Sequence, residues 1–383
     1  MRVLSILGTR PEAIKMVPVI KQLEQSGATS VVCVTAQHRK MLDSVLDFFG
    51  VVPDIDLDLM QQAQTLTSLT ARVLNAVGDV LDEVAPDVIV VQGDTTTAMG
   101  AAMAAFYRQI PVAHVEAGLR SGDLYAPFPE EMNRIVADLV SRYHFVPTEL
   151  AANVLRRELA DTSSIHITGN TVIDALLMTV KRLDEDVPLR AEIDRRFEMI
   201  DQSRRLVLVT GHRRESFGRG FKEICLALKK LSERDDIEIV YPVHLNPNVQ
   251  GPVRSLLSNI PNMHLIEPVD YPSFVRLMQR ADLILTDSGG IQEEAPSLDT
   301  PVLVMRTRTE RREAIDAGAI ELVGTEHEFI LERAHAVLDD ATLWQRMAAA
   351  PNPFGDGRAA ERIVKLLMAD VASLASASEA RAV

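Results

Sequence analysis

The chain has 383 residues, more than the roughly 250–300 at which a single hydrophobic core stops growing, so two domains are expected. With 40 Lys plus Arg against 54 Asp plus Glu, the formal net charge is −14, which excludes a general attraction for nucleic acid or an anionic membrane surface. No apolar run approaches the ~18 residues needed to span a bilayer, and the opening Met1-Arg2-Val3-Leu4-Ser5-Ile6-Leu7-Gly8 lacks the long apolar region of a secretory leader, so a cytoplasmic protein is expected.

Residues 3–7 read as a strand that runs into Gly8-Thr9-Arg10-Pro11 and a helix to about Gln25. Residues 30–35 form a second strand, followed by a helix around 41–49. Residues 87–91 lead to Gly93-Asp94-Thr95 and an alanine-rich helix to about Tyr107, and 112–115 and 144–146 are further short strands. The pattern then restarts. Residues 206–210 precede Gly211-His212-Arg213-Arg214, 237–243 precede His244-Leu245-Asn246-Pro247, 283–286 precede Ser288-Gly289-Gly290, and 301–305 form another strand. Both cysteines, Cys33 and Cys225, sit inside apolar runs and are expected as small buried hydrophobes, not as ligands or a disulfide.

Strands alternating with helices imply parallel sheets covered on both faces, and two such series imply an α/β protein of two doubly wound, Rossmann-like domains. The periodic self-similarity of solenoids is absent. The seam is expected between Asn170 and Arg205, with a helix over 172–183 and a charged stretch after it. Domains are assigned as 1–170 and 171–365, with 366–383 as a helix end and frayed tail. Ligands of doubly wound sheets sit at the carboxyl ends of the strands, so the polar residues there carry the functional signal.

One such end is Thr286-Asp287-Ser288-Gly289-Gly290-Ile291-Gln292-Glu293-Glu294. Glycines let the backbone approach a diphosphate, and free N–H groups at a helix start attract its charge. Glu294, about one turn in, has the chemistry to accept both hydroxyls of a ribose; the plainer alternative is a tight turn with acids that complement the helix dipole. Cations gather at three strand ends of this acidic chain: Arg306, Arg308, Arg311 and Arg312; Arg213, Arg214 and Arg219; Arg10 and Lys15. They suit phosphate. Some of them are solvated surface charge under the alternative reading.

Three carboxylates mark the strand ends of the first domain. Asp94 follows Val91-Gln92-Gly93, Glu116 follows His114-Val115, and Glu130 lies in Pro127-Phe128-Pro129-Glu130-Glu131. Asp94 also reads as the N-cap of a helix at Thr95, and Glu130 as a first-turn acid after proline. Glu116 has no such structural reading. Carboxylates converging on one cleft raise one another's pKa values, which lets an acid and a base coexist near neutral pH. His212, at the start of the second domain, adds a fourth titratable group. No Gly-x-Gly-x-x-Gly, Walker loop, His/Cys metal spacing or Gly-x-Ser-x-Gly elbow occurs, so no cofactor and no metal are expected.

The same segments resemble the non-hydrolysing UDP-N-acetylglucosamine 2-epimerases from Met1 to about Leu367. The matching blocks are Gly8-Thr9-Arg10-Pro11-Glu12, Thr35-Ala36-Gln37-His38-Arg39, Gly93-Asp94-Thr95-Thr96-Thr97, His114-Val115-Glu116-Ala117-Gly118-Leu119-Arg120, Pro129-Glu130-Glu131 and Gly169-Asn170-Thr171-Val172-Ile173-Asp174. They continue with Gly211-His212-Arg213-Arg214-Glu215, Tyr241-Pro242-Val243-His244-Leu245-Asn246-Pro247, Thr286-Asp287-Ser288-Gly289-Gly290 and Thr309-Glu310-Arg311.

The resemblance implies a GT-B type fold with the active site in the interdomain cleft and a C-terminal helix packed back on the first domain. It implies interconversion of UDP-N-acetylglucosamine and UDP-N-acetylmannosamine by anti elimination of UDP to 2-acetamidoglucal and re-addition, without metal or nicotinamide. By position, Asp94, Glu116, Glu130 and His212 match catalytic residues, while Arg10, Lys15, Phe274, Ser288, Gly289, Gly290, Glu294 and Arg311 match substrate-binding ones. Gln37, His38, Lys40, Arg72 and His244 match a second UDP-N-acetylglucosamine site that activates bacterial members. A homodimer serving cell-surface polysaccharide synthesis is also implied.

Three positions depart from the family's pattern. Val269 stands where Gln often contacts uracil, Arg312 where Pro follows Thr-Glu-Arg, and Lys40 where Gln is common in the activator segment. Two enzymes remain as alternatives: a hydrolysing relative that releases N-acetylmannosamine and UDP, and a glycosyltransferase on the same fold. A nucleotide-sugar sensor without catalysis is disfavoured because Asp94, Glu116, Glu130 and His212 are all present.

Overall fold

β1 (Arg2–Leu7), β2 (Thr29–Val34), β3 (Ile55–Asp56), β4 (Val88–Gln92), β5 (Val112–Val115), β6 (Tyr143–Val146) and β7 (Ile165–Ile167) form a parallel sheet in the order β3-β2-β1-β4-β5-β6-β7. β8 (Arg205–Thr210), β9 (Ile237–Pro242), β10 (Met263–Ile266), β11 (Leu283–Thr286), β12 (Val302–Val304) and β13 (Ile320–Leu322) form a second, ordered β10-β9-β8-β11-β12-β13. The structure is a computed structural model that describes residues 1–35, 39–61 and 64–381, with backbone alone at 39, 40, 214 and 371–381. Both orders are doubly wound and reverse direction once, at β1/β4 and at β8/β11, which is where such sheets open a crevice for ligands.

The chain divides into two compact units. One comprises Met1–Ala175 with Phe354–Val383, the other Leu176–Pro353. In the first, Val88, Ile89, Val90 and Val91 are fully buried, as expected for a central parallel strand with helices on both faces. The helix Thr96–Phe106 is built mainly of Ala, Thr and Gly, and it packs on the helix Leu66–Val84. Gly100 makes that approach possible, since a Cβ there would meet Val73 Cγ1 at 2.7 Å. The helix Ala359–Arg381 packs on Arg10–Gln25, and Asp174 accepts hydrogen bonds from its first amides, Ala359 at 3.2 Å and Ala360 at 2.8 Å. In the second unit, Val207, Val209, Ile239, Leu283, Leu285 and Leu303 form the core beneath the helix Arg219–Leu231. Burial at about 25 cal/mol per Å² of apolar surface is the main stabilising term in both.

Cys33 and Cys225 are buried and unpaired with each other, and burial pushes both thiols up to about 12. The strands missing from the sequence reading are β3, β7, β10 and β13, the outermost strands of the two sheets. Each is two to four residues long and mostly half-exposed, so none has a continuous apolar run. Among the described residues, no helix is long and apolar enough to cross a membrane.

Candidate active site

In the first unit the turns after β1 and β4 are tied together by Glu12. Its buried carboxyl accepts from the Gly8 amide at 3.1 Å and from the Thr95 hydroxyl at 2.7 Å. Burial raises its pKa, against the lowering pull of its hydrogen bonds from Thr9, Thr95 and Gly8. Gly8 is required here: an added Cβ would fall 2.4 Å from Thr35 Oγ1 and 2.6 Å from Thr97 Oγ1. Thr95, not Asp94, caps the helix Thr96–Phe106, accepting from the Ala98 amide at 3.0 Å. The reading of Asp94 as a cap is thereby corrected. Its carboxylate instead meets the Arg134 guanidinium, and its carbonyl accepts from Asn133 Nδ2 at 2.9 Å.

Glu116 leaves β5 with a left-handed φ of 65° and is only 9% exposed. Such a backbone is uncommon for a residue with a side chain, and it persists where surroundings over-determine it. They do here. Lys15 Nζ lies 2.5 and 2.7 Å from the two carboxylate oxygens, Asn170 Nδ2 donates to one at 3.0 Å, and Gln92 Nε2 donates to the other. Glu130 opens the helix Glu130–Val140 and is half-buried; the buried acid is its neighbour Glu131, which accepts from the Ser121 and Gly122 amides at 2.9 and 3.0 Å. Arg134 lies one turn beyond Glu130 on the same helical face, and it is Arg134 and Asn133 of this helix that reach the Asp94 turn. Asp94 faces Arg134, which also reaches Glu131 at 3.2 Å, and Glu116 faces Lys15, so each of the two acids has a cation beside it.

In the second unit the turns after β8 and β11 are joined by Asp287. This fully buried carboxylate accepts from the His212 and Arg213 amides, each at 2.8 Å. The His212 ring stacks on His244 at 5.3 Å between centroids. Burial, with His244 and Arg213 nearby, lowers its pKa despite the opposing Asp287 charge. Ser288 precedes a helix of only six residues, Gly289–Glu294. Arg311 lies against that helix start: a Cβ on Gly289 would sit 3.0 Å from its Cζ, and Glu293 holds it through Nη2 at 2.8 Å. Glu294 accepts from the Tyr271 hydroxyl at 3.0 Å, and Phe274 lies one turn along the helix Tyr271–Arg280, half-buried.

The expected cluster of phosphate cations is narrower than its sequence suggests. Arg306 is buried and occupied by Glu215 at 2.6 Å and Glu310 at 2.9 Å, and Arg219 is a surface residue 3.8 Å from Glu326. Arg213 differs, because its Nε is buried with no protein partner among the described residues. Of the expected activator residues, Gln37, His38 and the Lys40 side chain lie outside the described residues. Arg72 donates to Gln61 Oε1 at 2.6 Å and to Gln64, and His244 is exposed in the second unit.

The sequence matches the UDP-N-acetylglucosamine 2-epimerase family over residues 21–368. The UDP-N-acetylglucosamine 2-epimerase of Escherichia coli K12 is 54% identical over 370 residues, covering 96% of this chain and 98% of that one. The chain belongs to the UDP-N-acetylglucosamine 2-epimerase family. The crystal structure of the Neisseria meningitidis 2-epimerase bound to UDP-GlcNAc superposes with a TM-score of 0.90 at 46% identity, covering 96% of this chain and all of that one. The Methanocaldococcus jannaschii enzyme, in complex with UDP-GlcNAc and UDP, gives 0.80 at 35% identity over 96% of this chain and 99% of its own.

Within this epimerase-family chain, several supporting residues escaped sequence reasoning. Gln92 and Arg134 grip the acids yet carry no local signal, and Asn170 was visible only as part of a motif. Asp138, in the last turn of the helix Glu130–Val140, binds His114 Nδ1 at 2.6 Å and Arg120 at 2.7 Å, while His114 Nε2 reaches the Gly93 carbonyl at 2.7 Å.

Proposed function

We propose that the protein is a non-hydrolysing epimerase that inverts C2 of UDP-N-acetylglucosamine to give UDP-N-acetylmannosamine. The observation that carries the reading is the Glu116 carboxylate, fixed by Lys15, Gln92 and Asn170 at a strand end, in a chain that shares more than half its residues with a named 2-epimerase. Inversion without a redox step requires the C2 proton to leave from one face and another to arrive on the other. Asp94, Glu116 and Glu130 supply the proton-handling groups, with His212 beside them in function. As the C2–H bond breaks, its electron pair forms the C1=C2 bond of 2-acetamidoglucal and the C1–O bond breaks to release UDP. Re-addition of UDP at C1 and protonation at C2 reverse the step. Arg213, Arg311 and the amides of Ser288, Gly289 and Gly290 hold the leaving diphosphate, and electrostatic stabilisation of developing charge is a large share of such catalysis. Arg10 and Lys15 complete the phosphate and acid contacts, Glu294 takes the ribose and Phe274 the uracil.

The finer reading is a cytoplasmic homodimer that feeds cell-surface polysaccharide synthesis. A second UDP-N-acetylglucosamine, held by Gln37, His38, Lys40, Arg72 and His244, activates it. Incubation with UDP-N-acetylglucosamine in deuterated water tests the chemistry. Deuterium at C2 of both epimers, with UDP-linked product, is expected. Free N-acetylmannosamine would instead identify a hydrolysing enzyme, and unlabelled product would reject proton exchange. A sigmoidal rate against substrate concentration tests the activator site.

A further inference from the structure

We propose that His114 is a permanently charged positioning residue whose imidazolium locks the Asp94 turn to the Glu116 turn. The ring is fully buried, with Nδ1 2.6 Å from Asp138 Oδ1 and Nε2 2.7 Å from the Gly93 carbonyl oxygen. A peptide carbonyl has no proton to give, and neither has an ionised carboxylate. Two hydrogen bonds to two acceptors therefore need a proton on each ring nitrogen. The other oxygen of Asp138 receives Arg120 Nη1 at 2.7 Å and the Gly118 amide at 3.2 Å, which keeps that carboxylate ionised and rules against a neutral acid paired with a neutral ring.

The surrounding charges agree. Burial alone would lower His114, yet Asp138, with a smaller contribution from Asp94, raises it; burial alone would raise Asp138, yet His114 and Arg120 lower it. The nearby His144, which reaches the Asp138 carbonyl at 2.8 Å, is lowered by burial and brings no competing charge. Glu158, 2.7 Å from Arg120, shares the load of that cation.

What the network holds is specific. Gly93 sits at a left-handed φ of 72° immediately before Asp94, and the amide of Gly118 lies two residues past Glu116. One imidazolium–carboxylate pair thus fixes the backbone on both sides of the acid–base groups, without touching substrate. This inference rests on the epimerase reading for its kinetic consequence and on geometry alone for its charge state.

The test has two arms. Nitrogen NMR of the wild-type ring, assigned by its loss in His114→Gln or its displacement in Asp138→Asn, should show both nitrogens protonated and unchanging from about pH 5.5 to about pH 8.5, well past the ordinary histidine range. A ring that loses a proton in that window overturns the charge assignment, whatever the enzyme does. In the second arm, His114→Gln and Asp138→Asn should lower kcat by about ten- to a hundredfold, as misplacement of reacting groups by about 1 Å does, with KM changed by less than about threefold. Unchanged kcat per folded enzyme, with only a lower melting temperature, would reduce His114 to a structural residue and overturn the positioning role. If His114→Gln does not fold, Asp138→Asn alone decides the kinetics. If the wild type turns over no UDP-sugar, the functional reading falls and the ring measurement still judges the charge.

Discussion

The two units share a doubly wound strand order, extended by one edge strand in the first, and wire their carboxyl-end turns in opposite ways. In the first, the carboxylates of Asp94 and Glu116 are gripped by side chains: Arg134, Lys15, Gln92 and Asn170. In the second, the Asp287 carboxylate is spent on backbone amides, those of His212 and Arg213. The strand-end acids are thus paired with side chains in one unit and with main-chain amides in the other, where Arg311 is itself paired with Glu293 and Arg213 Nε is buried with no protein partner among the described residues. A doubly wound scaffold sets where a ligand group can sit. Its strand-end acids take side-chain partners in one unit and main-chain partners in the other, so one scaffold position serves two different networks.

The sharpest way to break that contrast is Glu116→Gln, which keeps the shape and removes the acid. Turnover should fall about a thousandfold, within the range for loss of a general acid–base group. Calorimetric UDP affinity should stay within about twofold, and unimpaired turnover would remove Glu116 from the chemistry. Arg311→Ala is the mirror experiment. UDP binding should weaken by about ten- to a hundredfold, the factor that ~1.5–3 kcal/mol for a charged hydrogen bond represents. If it binds UDP as the wild type does, the second unit's cations are not the nucleotide grip.

The smallest effect concerns stability. Burial pushes the Asp174 carboxyl from 3.8 up to about 6, opposed by its hydrogen bonds from the Ala360 and Ala359 amides. A carboxyl whose folded pKa is raised contributes stability below its unfolded value and loses it as pH rises through the folded one. Between about pH 4 and about pH 8, wild-type melting temperature should therefore fall by several degrees relative to Asp174→Asn, the equivalent of ~2–3 kcal/mol. Parallel melting curves for the two proteins would place the proton elsewhere.

Alternating strands and helices were legible because interior parallel strands are apolar throughout, as in Val88-Ile89-Val90-Val91. The four edge strands were not, since short half-exposed segments have no such signature. Turn residues such as Gly8, Glu116, Gly289 and Gly290 stood out because glycine or acid at a strand end has few local explanations. Their supports did not. Gln92, Arg134 and Asp138 are ordinary polar residues until folding brings them to a partner 24 to 40 positions away. Arg306 misled for the same reason: its neutralising Glu215 lies 91 residues upstream.

The split of the first unit across Met1–Ala175 and Phe354–Val383 has a consequence for synthesis. Leu176–Pro353 is made as one uninterrupted stretch, whereas the first unit has all of its segments only when the end of the chain has been made. Only then do the Phe354 carbonyl receive the Asn170 amide at 2.7 Å and the Asp174 carboxyl receive the following helix. Asn170 is also the residue that steadies Glu116. One of the side chains that hold Glu116 thus belongs to a residue whose backbone partner, Phe354, is made among the last thirty or so residues of the chain.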